Sequence, residues 1–225
     1  MKRNRRDLSP WPGIFISALP LLVLTACSSS TSVKAPEERK PAAAAQNAKG
    51  PGINLNAVVA RLQKPPDSFH YSLKKQGNPD YIDDEADVTP QVIDGTFTSN
   101  ASNVNKPPIT GKVHAVSSNQ DDWQFAVGSL GGIMGLAGEG GLIDESAVGE
   151  GTEQVNGYDT TKYSVDTTRL DAAQTSALIG AGSFIKGTAW VTADGCPVKM
   201  TLDEELHYKD GSVAKVHYDE AIVKK

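Results

Sequence analysis

Residues 184–202 read FIKGTAWVTADGCPVKMTL and carry the clearest structural pattern in the chain. Apolar and polar side chains alternate on both sides of Asp194-Gly195, which is the spacing of two half-buried strands joined by a tight turn. A two-residue turn at Asp194-Gly195 predicts an antiparallel hairpin with one apolar face. The cross-strand pairs on that face would be Val191 with Val198, Ala189 with Met200 and Gly187 with Leu202.

A third strand follows a second turn near Asp210-Gly211. A two-residue turn there would mix apolar and polar side chains on each face, whereas a three-residue loop over 210–212 keeps them apart. That loop pairs Leu206 with Val216, so that the numbers of paired residues add up to 422. The apolar side of this curved meander would be lined by Ile185, Ala189, Val191, Val198, Met200, Leu202, Leu206, Tyr208, Ala214, Val216, Tyr218 and Ile222.

Two glutamates, Glu204 and Glu220, interrupt the apolar side. A carboxylate buried without a partner costs several kcal/mol. The two residues therefore lie either near the rim of the sheet, where water or a lysine reaches them, or at the polar end of a cavity, where a lipid head group would rest. The rim is the more common situation.

The polar side of the meander is predicted to carry a cluster of charged residues, with Glu205 opposite His217. Two histidines among carboxylates could bind a divalent metal. Neighbouring charges on a solvated face are the usual explanation, however, so we expect no metal and no other cofactor. The cluster comprises Asp203, Glu205, His207, Lys215, His217 and Asp219.

Segments upstream of this meander show the same two-residue period. Strands are predicted over 69–74, 81–88, 91–99, 110–117, 146–154 and 158–167, the last two joined by Asn156-Gly157, a strong hairpin signal. Short helices are predicted after Asn54 and over 171–179. Strands that follow one another without intervening helices indicate an antiparallel sheet.

Residues 121–137 have a helical period instead. One apolar stripe contains Trp123, Ala126, Val127, Leu130, Ile133, Met134 and Ala137. Four glycines interrupt it, and each costs up to ~1 kcal/mol relative to alanine in a helix interior, so we expect a weak, easily displaced helix. Gly138, Gly140 and Gly141 are predicted to follow as a hinge or a disordered loop.

The N-terminus resembles the export signal of bacterial lipoproteins. A basic start is followed by the apolar run 14–24, which is shorter than the ~20 residues needed to span a bilayer. Leu24-Thr25-Ala26-Cys27 resembles a lipobox, in which the cysteine receives acyl chains and becomes the new N-terminus. The resemblance implies that residues 1–26 are a signal peptide and that Cys27 is lipidated. An uncleaved membrane anchor is the alternative.

The segment 27–52 is rich in serine, alanine and proline, which predicts a disordered tether between the lipidated cysteine and a single domain over 53–225. Such a protein would be held in the cell envelope by its acyl chains, palmitate among them. Because Ser28 rather than aspartate follows Cys27, we expect the periplasmic side of the outer membrane if the source has one, and otherwise the outer face of the cell membrane.

Charge and motifs limit the possible functions. Without residues 1–26, the chain keeps 18 basic and 26 acidic residues, a net charge of −8, which disfavours nucleic acid as a partner. No hydrolase, metalloprotease or nucleotide-binding motif is present. Cys196 has no nearby histidine or second cysteine and is interpreted as a packing residue rather than a nucleophile. We therefore expect no enzyme activity.

The order of elements, ending in the stretch Trp190-Val191-Thr192-Ala193-Asp194-Gly195-Cys196-Pro197-Val198-Lys199, resembles the half-barrel superfamily of bacterial lipid and lipoprotein carriers, of the LolA/LolB and LppX/LprG type. The resemblance implies an α+β fold in which a curved antiparallel sheet, a half-barrel, has a few helices over its concave face. It also implies an apolar cavity for acyl chains and no catalytic residues.

Two functions fit these sequence features. The first is a membrane-anchored, non-catalytic envelope lipoprotein that binds or carries a hydrophobic ligand, either a lipid or the acyl chains of a lipoprotein. The second is an envelope scaffold or partner-binding lipoprotein with a filled core. The volume of the interior would distinguish them. For the first function the expected ligand-binding residues are Leu130, Ile133, Met134, Val191, Met200, Leu202, Leu206, Val216 and Tyr218.

Overall fold

A computed structural model describes residues 50–77, 81–99, 108–130, 136 and 138–225. The predicted signal peptide, Cys27 and nearly all of the tether lie outside these residues. Two of the expected ligand-binding residues, Ile133 and Met134, lie outside them as well. None of the helices in the described part is long and apolar enough to cross a membrane.

Nine strands of the described chain form one antiparallel sheet in the order β4-β3-β2-β1-β9-β8-β7-β6-β5. The sheet is curved and does not close, so the predicted α+β half-barrel is confirmed. The strands are β1 Phe69–Gln76, β2 Tyr81–Val88, β3 Val92–Ser99, β4 Ile109–Val116, β5 Val148–Val155, β6 Tyr158–Asp166, β7 Phe184–Val191, β8 Pro197–His207 and β9 Val213–Lys224.

Four helices are described: α1 Leu55–Gln63, α2 Gln120–Ser129, α3 Gly140–Ser146 and α4 Ala172–Ile179, with a short 3-10 turn at Thr167–Arg169. Their buried side chains belong to the same apolar core as the inner face of the sheet. Asn54 caps α1 as predicted, because its side chain accepts a hydrogen bond from the Asn56 amide at 3.1 Å. Trp123 of α2 donates from its indole nitrogen to the Gln63 carbonyl at 3.0 Å, which joins α2 to the end of α1.

The glycine-rich region departs from the prediction. The stripe starting at residue 121 does form a helix, α2, which ends at Ser129, and the rest of the predicted stripe is described only in part. The hinge or disordered loop over 138–141 is wrong, because α3 begins at Gly140. Burial of Leu142 and Ile143 in the core offsets the low helix propensity of the two glycines at its start.

The first hairpin has a three-residue loop rather than the predicted two-residue turn. The Gly195 amide donates to the Thr192 carbonyl at 2.9 Å, and the Thr192 amide donates to the Cys196 carbonyl at 3.0 Å. A β-bulge after Trp190 then restores the predicted pairs of Ala189 with Met200 and Gly187 with Leu202. Only the pairing of Val191 with Val198 is wrong, because Val191 lies opposite Pro197.

The second hairpin has a loop of the predicted length but one residue earlier. The Tyr208 amide donates to the Ser212 carbonyl at 2.9 Å, and Gly211 has a positive φ of 85°. The paired residue numbers therefore add up to 420 rather than 422, as with Leu206 and Ala214. A shift of two residues keeps every side chain on its predicted face, because side chains alternate along a strand. Tyr208, at the end of the apolar row, is 53% exposed.

The centre of the sheet is formed by the pairing of β1 with β9. This ladder extends from Phe69 opposite Lys224 to Gln76 opposite His217. It joins the meander β1–β4 to the meander β5–β9, so that one inner face extends across both. The consequence for function is that residues from β1, β2, β8 and β9 share the middle of that face.

Candidate ligand-binding site

The expected ligand-binding residues that the structure describes all belong to the inner side of the half-barrel. Leu130, Val191, Met200 and Leu202 have no exposed surface, Val216 and Tyr218 are 6% and 3% exposed, and Leu206 is half-buried against the same core. The geometry thus places these residues in one apolar core, tightly enclosed by their neighbours.

Buried carboxyl groups are the unexpected feature of this inner face. Asp84, Glu204 and Glu220 are only 1%, 4% and 2% exposed. Of the two positions considered for the glutamates, the more common one, a solvated rim, does not agree with this burial. Asp84 of β2 and Glu220 of β9 lie on either side of Leu73 of β1, since Leu73 pairs with both. Side chains at directly opposite positions have Cβ atoms about 5 Å apart, so the two carboxyl groups flank a single leucine.

Glu220 is the most isolated of these groups. Neither carboxyl oxygen has a hydrogen-bond partner among the described residues, and burial raises its pKa well above the ordinary value. Tyr71 of β1 faces the same region, and its fully buried hydroxyl also lacks a partner there. Burial raises the pKa of Tyr71 well above 10, and negative charge on Glu220 and Asp84 raises it further. The Tyr71 hydroxyl is therefore close enough to the two carboxyl groups to interact with their charge.

Glu204 is part of a second, adjacent group. The Tyr218 hydroxyl donates to Glu204 Oε2 at 3.1 Å, and Lys75 Nζ lies 5.4 Å from the centre of the Tyr218 ring. Glu139, just before α3, is close enough for its pKa to respond to Glu204. Burial first and the charge of Glu204 second raise the pKa of Glu139 to about 7, while Lys75 opposes the rise. The four carboxyl groups of Asp84, Glu139, Glu204 and Glu220 are called the inner acid cluster below.

Part of this cluster could have been found from the sequence. Asp84 occupies an inward position between Ile82 and Ala86, so a correct strand pairing would have shown it facing the core. Tyr71 is an ordinary inward aromatic residue by pattern, and only its neighbours make it unusual. Glu139 follows a glycine in the region predicted to be a hinge, and no local signal places it beside Glu204.

Open grooves surround the core, and one of them reaches the inner acid cluster. This groove has a volume of about 430 Å³ and is lined by Gln76, Phe184, Asp203, Glu204, Glu205, Lys215, Val216 and His217. Three further open grooves of about 340 to 640 Å³ are lined by described residues. None of these four grooves is an enclosed apolar chamber. Glu204 is the member of the cluster that connects the interior with a groove.

The charged residues on the outer face pair with one another. His217 lies 2.7 Å from Asp203 and 3.1 Å from Asp219, whereas Glu205 contacts His207 at 2.8 Å and Lys215 at 3.0 Å. The predicted pairing of Glu205 with His217 is thus wrong, because the shifted register places Glu205 opposite Lys215. Among the described residues, no group of three His, Cys, Asp or Glu side chains could hold a metal ion.

Cys196 is buried beside the first hairpin loop, with Arg61 of α1 nearby. Burial raises the pKa of its thiol to about 12, with the charge of Arg61 opposing that rise. Because the thiolate is the reactive form, this side chain is a poor nucleophile at neutral pH. Its position agrees with its interpretation as a packing residue.

No protein-family model matches the sequence, and no curated protein matches it. Solved structures that resemble the fold include the lipoprotein LppX of Mycobacterium tuberculosis, with 18% identity over 74% of this chain and 94% of LppX and a TM-score of 0.28. They also include MucB, with 14% identity and a TM-score of 0.30, and a Pseudomonas aeruginosa MucA/MucB complex, with 10% identity and a TM-score of 0.25. Each of the latter two matches covers 76% of this chain and 57% of the other. At these TM-scores, the similarity does not support the transfer of a function, so the function is inferred from the residues of this chain.

Proposed function

We propose that this protein is a lipid-anchored component of the cell envelope whose half-barrel binds an amphiphile without catalysing a reaction. The hydrocarbon part of the amphiphile would contact the apolar inner face around Met200 and Leu202. Its polar head would lie at the inner acid cluster. The single observation that supports this proposal is the burial of several carboxyl groups in the middle of an otherwise apolar face.

The energetic cost of the cluster is the reason to assign it a role. A buried carboxyl group that lacks a partner costs several kcal/mol or must take up a proton. An aliphatic side chain at the position of Glu220 would remove that cost, as one does at the neighbouring inward position Ile222. Groups that weaken the fold in this way are often kept for binding.

Membrane attachment is proposed from the sequence. Two or three acyl chains on Cys27 would hold the protein nearly permanently, because each buried methylene contributes ~0.8 kcal/mol and a single chain binds only reversibly. The tether 28–52 would let the domain stand away from the bilayer. Ser28 supports delivery to the outer membrane where there is one.

A partner-binding lipoprotein with a filled core is the second candidate. The complete burial of Val191, Met200 and Leu202 favours it, as does the open form of the four grooves. In that case the protein would act through its surface and would hold no lipid.

Lipid retained by the purified protein distinguishes the two candidates. The full chain carrying Cys27→Ser would be purified without detergent, extracted with organic solvent and analysed by mass spectrometry. We expect a defined amphiphile at up to one molecule per chain. A chain without bound lipid that also takes up no added fluorescent amphiphile would support the filled core and contradict the proposal.

The anchor is tested separately. Cys27→Ser should move the protein from the membrane fraction to the soluble fraction and abolish incorporation of labelled palmitate, while thermal melting stays the same because the tether separates anchor and domain. Replacement of Ser29 by alanine is the matched control and should leave both unchanged. A Cys27→Ser chain that still pellets with membranes and carries label would show that the lipobox interpretation is wrong.

A further inference from the structure

We infer that the inner acid cluster is a binding site for a primary ammonium group carried directly on a hydrocarbon chain. This inference rests on the proposed function and names the class of amphiphile that the site would accept. Long-chain amines and aminolipids without a phosphate next to the amine belong to this class.

The carboxyl groups at the site favour a cationic ligand. The inner acid cluster contributes carboxyl groups from β2, β8, β9 and the turn before α3. The described groups that face it are few: Tyr71 and Lys75 from β1, Tyr218 from β9, and Cys196, with Arg61 of α1 beyond that thiol. Arg61 pairs with Asp194, outside the cluster, at 3.2 Å. Burial raises the pKa of Glu220, so its carboxyl group holds a proton until a cation enters the site and favours its ionisation.

The Tyr71 hydroxyl is a second and independent observation. It is a fully buried phenol that lacks a hydrogen-bond partner among the described residues. Tyr71 is the inward position of β1 next to Leu73, which Glu220 and Asp84 flank, and its pKa is raised by burial and further by their charge. Neither oxygen of Glu220 has a described partner either. A small group placed between the phenol and the carboxylates would satisfy these atoms together, because buried polar atoms are rarely left without hydrogen bonds.

An ammonium group fits these atoms better than other head groups. It offers three N–H donors, and both carboxylate and phenol oxygens can accept them. A phosphate or carboxylate head would be repelled by the inner acid cluster. A hydroxyl head could form hydrogen bonds but could not offset the charge of ionised carboxylates in an apolar environment, where charged pairs interact strongly.

The route to the site begins at the groove next to Glu204. Asp203 and Glu205 also line this groove, where they pair with His217 and Lys215, and Glu204 is the member of the inner acid cluster that lines it. Glu139 and Glu204 repel each other when both are ionised, as the raised pKa of Glu139 shows. An ammonium group near Glu204 would relieve this repulsion and would favour ionisation of both carboxyl groups. Binding should therefore strengthen as the pH rises through the neutral range.

A series of probes with the same tail tests the inference. Dodecylamine, dodecanol and laurate would be titrated, below their micelle concentrations, into the lipid-free full chain carrying Cys27→Ser. At pH values above neutral, we expect dodecylamine to bind about tenfold more tightly than dodecanol, a difference of about 1.4 kcal/mol, and laurate to bind most weakly. The preference for the amine should shrink at acidic pH, where the carboxyl groups are protonated.

Variants assign the preference to the cluster. Glu220→Gln should reduce the affinity for dodecylamine about tenfold and leave that for dodecanol within about twofold. Tyr71→Phe removes only a hydroxyl and should lower the affinity for dodecylamine by less than Glu220→Gln does. It replaces Glu220→Gln as the test if that variant fails to fold. Glu85→Gln, an exposed change on β2, is the matched control. Equal binding of all three probes, or an amine preference that neither variant alters, overturns the ammonium site but keeps amphiphile binding. Failure of all three probes to bind overturns the proposed function itself.

Discussion

Among single residues, Glu220 is expected to make the stability of the fold fall as the pH rises. Its pKa is raised well above its usual value by burial, so the folded state holds a proton that the unfolded chain releases near pH 4.3. Between these two pKa values the folded state binds more protons, and stability therefore falls as the pH rises. The contribution is favourable at acidic pH and is lost progressively towards neutral pH. Glu139, whose pKa is about 7, adds to the same trend.

Replacing Glu220 by glutamine should flatten this pH dependence. The amide keeps the size of the side chain but cannot ionise, and each unit of pKa shift removed corresponds to about 1.4 kcal/mol. Thermal melting of the wild type should fall from mildly acidic to mildly alkaline pH, and Glu220→Gln should lose clearly less over the same range. Glu85→Gln, which changes an exposed side chain, should follow the wild type. A steep wild-type decrease that Glu220→Gln leaves intact would assign the pH response to other groups.

The burial of the glutamates shows what sequence reasoning misses at this scale. Alternation along β8 and β9 correctly places Glu204 and Glu220 on the inner side. Alternation does not show how deeply each inward side chain is buried, because burial depends on strands and helices that are distant in sequence. Glu220, for example, is flanked by Leu73 of β1, which lies far from β9 along the chain.

At the scale of elements, the pairing of β7 with β8 depends on one glycine. Gly187 has a φ of 157°, and a Cβ atom there would lie 2.0 Å from the Thr201 carbonyl oxygen and 2.9 Å from the Leu202 Cα. Both neighbours are backbone atoms, which cannot move away without shifting the strand. The close approach of the two strands at this position therefore requires glycine.

Gly187→Ala and Gly128→Ala should have opposite effects on stability. We expect Gly187→Ala to destabilise the fold by about 2–4 kcal/mol through backbone displacement and strain. Gly128 lies in α2, and the space that a Cβ atom would take there is open, so alanine should stabilise by about 0.5–1 kcal/mol through helix propensity. Denaturant unfolding would measure both free energies. Equal stability of the two variants would contradict the close strand packing.

The second hairpin shows why elements are easier to predict than their register. Alternation fixes which residues face the core, and a shift of two residues leaves that pattern unchanged. The predicted loop therefore has the right length, while its position is wrong by one residue. The choice between the two positions depends on Gly211, whose positive φ of 85° places it last in the loop. Similarly, nothing local in Gly140–Ser146 signals a helix, since burial of its apolar residues produces it.

At the scale of the whole molecule, β9 holds the two meanders together. It pairs with β1 on one side and β8 on the other, and both ladders are long. The strands β1–β4 and β5–β8 can each be predicted from local patterns, but the pairing of β1 with β9 has no local signal. The antiparallel sheet can be predicted because the strands follow one another without crossover helices, whereas the half-barrel is implied only by the resemblance to the carrier superfamily.

Proline substitutions should distinguish this central strand from the edge. Ala221 lies in β9 between Ser72 and Lys199, so Ala221→Pro should interrupt the ladder and lower stability by about 3 kcal/mol or more. Neighbouring amides of a strand point to opposite sides, so proline is tested at both Thr152 and Glu153 of the edge strand β5. The milder of these two substitutions should lower stability much less than Ala221→Pro does. Circular dichroism with denaturant would show one cooperative transition throughout. Two separate transitions in the wild type would mean that the meanders fold independently.

The position of β9 also has a consequence for biosynthesis. Until Val213–Lys224 has been synthesised, β1 has an unpaired edge, and the inner face of the sheet lacks its central strand. During synthesis, the nascent chain therefore exposes a β1 segment whose backbone groups can pair with another chain. During any later translocation, β1 would reach the far side of the membrane before β9. A holdase that covers β1 during this interval would protect the chain from self-association more effectively than one that waits for the finished sheet.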